Sequence, residues 1–544
     1  MTAVETEVQL QWTVSRHTAS ASIAADVEAS TSFSGPNLVL QPHQLVPGAT
    51  YSFRLAATTA AGTGEGRISV EANAAPSGGQ IHCTPPSGMA VRDSFSLSAP
   101  AWHDDDLPLT YRFGSSSRAD SAAVTYLSDF SLSDSVDAIL PAGHSDRNHT
   151  VVLHVEVRDG WGAMQTANTT NTTVVPFEVP AGASLSGAVE GILSAQAGDL
   201  LSVGQVVSSL AAALNEAADS GSSGAPLNNS EATKTRDLLV FAIFSSATAV
   251  TETAAVTRVG EMLSAVTSNP EQLSSESTDK ALGMAMALAT TTAGTGGTSA
   301  VVDSQALESV AKLMSNLVVA CASQFASSAK LDSSDARNAQ ESPVLMTEVI
   351  DSLSSTLVSD MLAGEAEKTM ATDSFAMRVQ VDTPDAFGGK LIGGGKVHVP
   401  VGAFDSVRHD RTLSAKVVEW ADAGPLFYAA ALPPAGDNSS SLASPLLSVD
   451  FTAGRTPVNV SGLLSPFILT LEVRNANNIN VSATCGYWNT SALQWVTDGK
   501  LLAATDTNIT CAFPHLTSFA AFTGPSNVSP CGHCSSVAIT IATC

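Results

Sequence analysis

Charged side chains are scarce in this chain, and basic ones are the scarcest. Only 14% of the 544 residues are charged, with 25 Lys and Arg against 51 Asp and Glu, which gives a formal net charge of −26. An acidic surface of this kind repels phosphate backbones, so nucleic acid is not an expected partner. The chain is also too long for one hydrophobic core and predicts three or four domains.

Long apolar runs are absent as well. No stretch of about 18 apolar residues predicts a membrane helix, and the last residues, SSVAITIATC, stop too soon to form one. The first residues, MTAVETEVQLQWTVSR, lack the basic and apolar segments of a secretory signal. We interpret the chain as a fragment of a larger protein, although a misplaced gene start would look the same.

Cysteine is uncommon, yet five of the seven cysteines follow residue 480, which favours disulfides late in the chain. The chain is rich in Asn-X-Ser/Thr sequons, which predict a glycoprotein; the alternative is chance in a Thr-rich sequence. The sequons stand at Asn148, Asn168, Asn171, Asn228, Asn438, Asn459, Asn480, Asn489, Asn508 and Asn527.

Alternating apolar residues predict strands from residue 1 to about 180. In the segment LVLQPHQLVPGATYSFRLAATTAAGTGEGRISVEAN, Pro47-Gly48 predicts a turn and AGTGEG predicts a hairpin loop. The stretch AAPSGGQ marks a domain junction, after which VVLHVEVRDGWGA alternates again before an Asp159-Gly160 turn. Two β-sandwiches fit this spacing, over residues 1–76 and 77–180.

Three consecutive carboxylates, Asp104, Asp105 and Asp106, lie in the segment WHDDDLP. Clustered carboxylate oxygens are ligands that Ca²⁺ prefers. The alternative is a solvated loop between strands, because the sequence shows no complementary ligands near this segment.

The hydrophobic period changes to that of helices over residues 185–370. The segment DLLVFAIF predicts a helix that is apolar on most sides and therefore buried, and Asn269-Pro270 predicts a stop followed by a restart at Ser274 or Ser275. TTTAGTGGTSA (290–300) predicts a flexible loop, and Cys321 a buried free thiol. Short alternating strands return over residues 372–524, among them KVHVPVGAF, PLFYAAAL, LLSVDF and PFILTLEV.

Two segments near the end carry a resemblance to a known motif. They are CGYWNTSALQW and, about fifteen residues later, CAFPHLTSFAAF. Together they resemble the GPS motif, here residues 485–523, which ends GAIN domains. The residues that carry the resemblance are Cys485, Trp488, Trp495, Cys511, His515, Leu516, Thr517 and Phe519.

The front half resembles the REJ (receptor for egg jelly) module of the polycystin family, through LVPGATYSFRL, PSGGQIHCTPPSGMA and WHDDDLPLTYRF. The resemblance implies a mixed multidomain fold. It consists of N-terminal β-sandwiches of the fibronectin III or PKD type, an α-helical GAIN subdomain A, and a β-sandwich subdomain B that ends in the GPS.

Four-cysteine GPS motifs have cysteines where this chain has Lys500 and Phe513. The two-cysteine form is similar to that of polycystins rather than to that of adhesion G-protein-coupled receptors. It implies a disulfide between Cys485 and Cys511, which would close a loop worth roughly 3–4 kcal/mol.

The GPS resemblance implies cis-autoproteolysis between Leu516 and Thr517, and the residue types make this chemically coherent. A histidine with a pKa near ~6.5 can accept a proton at neutral pH, and a threonine hydroxyl needs such a base. Because the nucleophile belongs to the residue that follows the scissile bond, attack is intramolecular. His515 is thus the expected base and Thr517 the expected nucleophile, with no cofactor and no metal.

Two alternatives stay open. The chain is an uncleaved extracellular adhesion or ligand-binding module, in which His515 is structural and Thr517 merely faces the surface; Pro514, which fixes φ just before the base, favours this reading. Otherwise CGHC in the tail, residues 525–544, is a dithiol redox site with Cys531 as nucleophile. Such sites open a helix in a βαβ unit, so disulfides of Cys531 and Cys534 with Cys544 or with sequence outside the chain fit better.

The resemblance finally implies a location and a partner. The chain is expected at the extracellular face of a membrane, next to the membrane-embedded C-terminal part of the same protein. The sequence does not identify an extracellular ligand.

Overall fold

Strands, helices and strands again follow one another along this computed structural model. It describes residues 8–17, 22–116, 124–180, 182–196, 200–219, 228–247, 253–294, 304–328, 335–405, 407, 411–421, 441–454, 456–460, 463, 465–474, 483–489 and 494–523. The chain divides into two units, Met1–Thr383 and Pro384–Cys544. The predicted strands in PLFYAAAL and the CGHC tail lie outside the described residues.

The first unit begins with a four-stranded antiparallel sheet in the order β2-β1-β3-β4. Its strands are β1 (Gln9–His17), β2 (Ser22–Ala24), β3 (Thr50–Thr59) and β4 (Gly62–Glu71). Val14, Val27 and Tyr51 form its buried core, and the Tyr51 hydroxyl accepts a hydrogen bond from the Val46 amide at 2.9 Å. In the described residues, irregular chain that includes Phe33 packs against this core where the predicted sandwich would have a second sheet.

The hairpin between β3 and β4 is shorter than predicted. AGTGEG was expected as its loop, but the turn consists of Ala60 and Ala61, and β4 already begins at Gly62. The ladder continues through the glycines because backbone groups alone form it; Thr59 pairs with Gly62 and Ala57 with Gly64.

Residues 82–175 form two sheets, in the orders β10-β7-β5 and β6-β12-β11-β8-β9. Their strands are β5 (His82–Thr84), β6 (Ser87–Met89), β7 (Ser94–Ser98), β8 (Thr110–Ser116), β9 (Thr125–Tyr126), β10 (Ser135–Ile139), β11 (Thr150–Arg158) and β12 (Met164–Val175). The sheets pack face to face, because a Cβ added at Gly88 on β6 would lie 2.7 Å from the ring of Phe95 on β7. The predicted alternation on β11 is confirmed, since Leu153, Val155 and Val157 are fully buried.

The helical part contains seven α-helices in the described residues. They are α1 (Leu185–Ala195), α2 (Leu200–Asp219), α3 (Asn229–Ser246), α4 (Thr253–Val266), α5 (Ser275–Gly294), α6 (Ser304–Ser328) and α7 (Asp335–Ser359). The predicted restart is confirmed, because Ser274 caps α5 by accepting a hydrogen bond from the Ser277 amide. The loop expected over 290–300 is wrong in its first part, since α5 continues to Gly294.

Helix α3 is less buried than its apolar sequence predicts. Leu239, Val240 and Ile243 face the core, whereas Phe241 and Phe244 are 46% and 48% exposed. The reason is geometric: neighbouring helices cover one side of α3, and a helix apolar on most sides has more apolar surface than that side can bury.

Two helical segments, Leu200–Ala218 and Ser304–Gln324, have the length and hydropathy of membrane spans. However, 50% and 67% of these segments are buried inside the protein, as in ordinary core helices. The expected burial of Cys321 on α6 is confirmed.

After the helices, the first unit ends with the hairpin β13 (Lys368–Ala371) and β14 (Phe375–Asp382). The second unit begins with α8 (Pro384–Phe387), and its strands are β15 (Leu391–Ile392), β16 (Val397–His398), β17 (Leu413–Trp420), β18 (Ser441–Leu442), β19 (Leu446–Ala453), β20 (Thr456–Pro457), β21 (Phe467–Glu472), β22 (Ala483–Asn489), β23 (Gln494–Ala504), β24 (Asn508–Phe513) and β25 (Ser518–Thr523).

These strands follow one continuous antiparallel path, β17-β19-β25-β22-β23-β24-β21-β16-β15, with β18 beside β25 and β20 beside β19. The sheet curls on itself, since Gly393, next to β15 at one end, packs against Val417 on β17 at the other. Inside the curl lies an aromatic and aliphatic core. Strand β25, which carries the end of the predicted site, occupies an interior position in this sheet.

Candidate cleavage site

The segment that contains the predicted scissile bond connects β24 to β25. Pro514 is exposed and the next three residues are half-buried. The main chain is anchored on both sides of the bond: the Leu516 amide donates to the Val460 carbonyl at 3.3 Å, and the Thr517 carbonyl accepts from the Val449 amide at 3.2 Å. The Leu516 side chain packs against the core. The Leu516–Thr517 bond is therefore fixed in a short connection between β24 and β25, each of which pairs with other strands of the sheet.

Strand β25 is buried on both faces of the sheet. Phe519, Ala520 and Ala521 are fully buried, and Phe522 is 3% exposed. On one side β25 pairs with β22 from Ala483↔Thr523 to Tyr487↔Phe519, and on the other with β19 and β18. Phe519 and Ala521 belong to the core inside the curled sheet, and Leu516 packs against the same core.

The His515 imidazole lies among aromatic rings. Its centroid is 4.3 Å from that of Tyr487, edge to face, and 6.2 and 6.1 Å from those of Phe513 and Phe519. This burial lowers the pKa of His515, and the charge of Asp498 opposes the shift. The imidazole makes no hydrogen bond within the part of the chain that the structure describes. At neutral pH His515 is consequently uncharged and able to accept a proton.

The Thr517 hydroxyl has a different neighbour. It donates a hydrogen bond to the main-chain oxygen of Trp488, at 2.9 Å. Trp488 meets Trp495 edge to face at 5.8 Å, and Trp495 in turn meets Phe522 at 5.1 Å. Trp488, whose main-chain oxygen accepts the Thr517 proton, is thus linked through the Trp495 ring to Phe522 on β25, the strand that follows the scissile bond.

Cys485 and Cys511 form a disulfide with a Cα–Cα distance of 5.8 Å. Both residues are buried in the core of the second unit. Phe513, at a position where four-cysteine motifs have another cysteine, packs its ring at a tilt against Phe519, with 4.5 Å between the ring centroids. The ring occupies the space beside the site and helps to enclose His515.

The structure brings His515, Leu516, Thr517, Trp488 and the disulfide into one region. Sequence analysis missed three residues of this region: Tyr487, Asp498 and Val460. Of these three, Tyr487 lies inside the motif CGYWNTSALQW, and its aromatic ring is a sequence signal for a contact with the site.

The predicted glycosylation sites are scattered. Asn148, Asn168, Asn228 and Asn459 are exposed, whereas Asn489 and Asn508 are half-buried. Asn171 lies within β12, and Asn438, Asn480 and Asn527 are outside the described residues.

Two of the three consecutive carboxylates lie close to a third one from another loop. Oxygen atoms of Asp104, Asp106 and Asp159 are within 4.8 Å of one another, and Asp105 is not part of the group. Asp159 is 4% exposed, and its carboxylate accepts hydrogen bonds from the Trp161 amide at 2.9 Å and from the Asn73 side chain at 2.7 Å. These bonds give Asp159 a structural role in the β11–β12 turn.

Two protein-family models match the chain. The model of the REJ domain matches residues 2–210, and the model of GAIN subdomain B, the GPS family, matches residues 373–527. The REJ match extends past the two N-terminal sheet modules into α1 and α2.

No curated protein matches the chain. Among solved structures, the chain is similar to "Crystal structure of Dscam1 isoform 4.44, N-terminal four Ig domains", with 7% identity and a TM-score of 0.13. It is also similar to "Structural basis for Dscam isoform specificity", with 8% identity and a TM-score of 0.12. Each match covers 31% of this chain and 38% of the other, and scores this low carry no argument about fold or function.

Proposed function

We propose that this chain, which carries a REJ domain and a GAIN subdomain B with its GPS motif, is the extracellular region of a polycystin-like membrane protein that cleaves itself between Leu516 and Thr517. The observation that carries the proposal is the anchored bond: a neutral histidine and a threonine hydroxyl flank a peptide bond whose two residues are hydrogen-bonded to neighbouring segments.

The proposed reaction is an intramolecular acyl transfer. The Thr517 Oγ1 attacks the Leu516 carbonyl carbon while His515 accepts the hydroxyl proton. His515 then returns that proton to the Thr517 nitrogen as the C–N bond breaks, which leaves an ester between Leu516 and the Thr517 oxygen. Water hydrolyses this ester and gives a carboxylate at Leu516 and a free amino group at Thr517.

Before this attack, the Thr517 hydroxyl has to leave its present partner. A hydroxyl carries one proton, and here that proton is shared with the Trp488 oxygen. Rotation about χ1 of Thr517 would free it for His515. Anchoring of the backbone on both sides favours this route, since only the side chain has to turn.

The two products are expected to stay together. Strand β25 keeps its ladders with β22, β19 and β18 after the bond is cut, and its buried residues Phe519 and Phe522 keep their contacts. Burial of each large apolar side chain contributes about 1.5–3 kcal/mol. We therefore propose a two-fragment ectodomain, whose second fragment continues into the membrane-embedded part of the same protein.

A denaturing gel tests the cleavage. Wild-type chain should remain one particle under native conditions and separate into two fragments after boiling in detergent. Thr517→Ala should remain one particle under native conditions and give one band on the denaturing gel. An intact wild-type band would contradict the proposal.

The extracellular location has its own test. In a glycosylating host the secreted chain should lose mass after glycan removal, and replacement of the exposed Asn148, Asn168 and Asn459 by Gln should reduce that loss. Unchanged mass would contradict a lumenal location without affecting the cleavage chemistry.

The second candidate is an uncleaved extracellular binding module. One observation favours it, namely that the Thr517 proton is directed to Trp488 and not to His515. In that case the wild-type chain stays whole and the sheet modules at its N-terminus carry the function.

A further inference from the structure

Strand β4 forms an open edge of the N-terminal sheet. It is the last strand in the order β2-β1-β3-β4, and within the described residues no strand pairs with its outer side. All ten of its residues, Gly62–Glu71, are exposed. The opposite edge, β2, has only three residues. An edge as long as β4 presents free main-chain donors and acceptors and can take up a further strand.

The apolar residues of β4 lie on the face of the sheet that carries its core, yet they are exposed to solvent. Val70 pairs with Tyr51 and Ile68 pairs with Phe53, so both share the face that carries the core of this sheet. Tyr51 is 2% exposed, whereas Ile68 is 59% and Val70 39% exposed. The layer that covers the core stops short of β4 and leaves these two side chains without cover.

In the first half of β4, every position on the face that carries Ile68 and Val70 is a glycine. Gly62, Gly64 and Gly66 lie on the same face as Ile68 and Val70, and a Cβ added at any of the three would meet nothing within 4 Å. The strand therefore has a vacant half and an apolar half on one face. On its other face lie three charged side chains, the acidic Glu65 and Glu71 and the basic Arg67.

We propose that β4 pairs antiparallel with β4 of a second copy of this chain, about a two-fold axis at Gly66. In this register Ile68 lies opposite the partner's Gly64 and Val70 opposite the partner's Gly62. The apolar half of each strand thereby covers the vacant half of the other, and the two sheets become one. A single self-complementary patch is the ordinary interface of a two-fold dimer.

Charge supports this register and this partner. On the other face, Glu65 lies opposite the partner's Arg67, and Glu65 already contacts Arg54 of its own strand pair. A parallel pair in register would instead place like charges opposite each other, which is unfavourable. No sequon lies within the N-terminal sheet itself, because the first one in the chain is at Asn148.

Cysteine cross-linking tests the register on the full chain. Gly66→Cys places the two thiols directly opposite each other across the axis, about 5 Å apart between Cβ atoms. Thr63→Cys is the matched control on the same exposed strand, because its two copies would lie roughly 20 Å apart along the pair. Mild oxidation should give a disulfide-linked dimer with Gly66→Cys only, above the background of the wild-type chain and its free Cys83.

Charge exchange tests the interface itself. Sedimentation should show a reversible dimer of the wild-type chain, and Arg67→Glu should raise its dissociation constant about tenfold. The double variant Glu65→Arg/Arg67→Glu should restore the affinity. Arg67 also donates to Ser52 at 3.0 Å, so thermal unfolding should establish that both variants remain folded.

Three results would overturn the proposal. Equal cross-linking at both cysteine positions would show another register. A chain that stays monomeric and has fast amide exchange over β4 would show a bare edge. A monomer with slow exchange over β4 would show that another segment of the same chain covers it.

Discussion

The hydroxyl of Thr517 donates its proton to the main-chain oxygen of Trp488, 2.9 Å away, and not to the imidazole two residues before it. The hydrogen bond couples the residue after the scissile bond to the end of β22. If the chain cleaves itself, this is the contact that must break first. Cleavage should accordingly be slower than the chemistry of a preformed base and nucleophile would allow.

The pH dependence of cleavage tests the surroundings of His515. Burial lowers the pKa of the imidazole below the ~6.5 of a free histidine. Because the neutral form is the base, the rate should stay level as the pH falls from 8 to about 6.5 and decline only below that value. The measurement is the appearance of fragments with time in a series of buffers.

Variants shift this profile in opposite directions. Tyr487→Ala admits water to the ring and should move the inflection up towards ~6.5. Asp498→Asn removes the charge that raises the pKa, so it should move the inflection down. Tyr487→Phe retains the ring contact and serves as the control. If Tyr487→Ala and Asp498→Asn both keep the wild-type pH profile, His515 is not the base.

The disulfide should stabilise the second unit and leave its chemistry intact. Cys485 and Cys511 are 26 residues apart, and closing such a loop contributes roughly 3–4 kcal/mol in the chain-entropy model. The double variant Cys485→Ala/Cys511→Ala should lose about that much in denaturant unfolding. An equal loss for the first unit would show that the effect is not local.

A buried glutamate makes the first unit sensitive to pH. Glu261 on α4 lies near the carboxylate of Glu156 on β11, and burial raises its pKa to about 7. Arg112, Lys312 and the Tyr126 amide favour the charged form and oppose the shift. Since the pKa is higher in the folded state than in the unfolded chain, the contribution of Glu261 to stability is complete below its ordinary pKa of 4.5. It is lost as the pH rises to about 7.

The test compares wild type with Glu261→Gln. Between pH 5 and pH 8 the wild type should lose up to about 3 kcal/mol of unfolding free energy relative to the variant, which cannot titrate. Gln keeps the shape of the side chain and removes only the proton equilibrium. Parallel stability curves for the two proteins would contradict the raised pKa.

Arg236 on α3 is fully buried and has no carboxylate partner among the contacts that the structure describes. Its guanidinium donates to the Val266 carbonyl at 2.6 Å, to Asn215 at 2.8 Å and to Gln272 at 3.0 Å, and burial lowers its pKa to about 10. Arg236→Ala would leave these acceptors unpaired beside a cavity and should cost about 3–5 kcal/mol. Lys234→Ala, on the exposed side of the same helix, should change stability by less than about 0.5 kcal/mol.

Sequence patterns predicted those parts of the fold that depend on side-chain periodicity. The buried residues of β11 and the restart of α5 at Ser274 follow directly from apolar spacing and capping. Side-chain periodicity could not predict that AGTGEG forms part of β4. Its glycines have no side chains to form a pattern, and their strand conformation comes from main-chain pairing with β3. Nor could periodicity predict the exposure of Phe241, since it depends on how many neighbours a helix has.

At the candidate site, the sequence predicts which residues take part but not which groups they contact. His515, Thr517 and the two cysteines were recognised from their spacing in a motif. The acceptor of the Thr517 proton is a main-chain atom of Trp488, and any residue type could supply it. The ring contacts of His515 likewise come from Tyr487 on another strand, brought near by sheet order alone.

Intact mass spectrometry of the denatured chain tests the central claim most directly. Wild-type protein that is folded and purified without protease should give two species whose masses differ from the uncut chain by one water in sum, the smaller beginning at Thr517. Thr517→Ala should give one species of full mass that still unfolds cooperatively, with a stability lowered by no more than the roughly 0.5–1.5 kcal/mol of the lost hydrogen bond to Trp488, and Thr517→Ser should still cleave. A folded wild-type chain that stays at full mass, or a Thr517→Ala variant that yields the same fragment, would contradict self-cleavage at Leu516–Thr517.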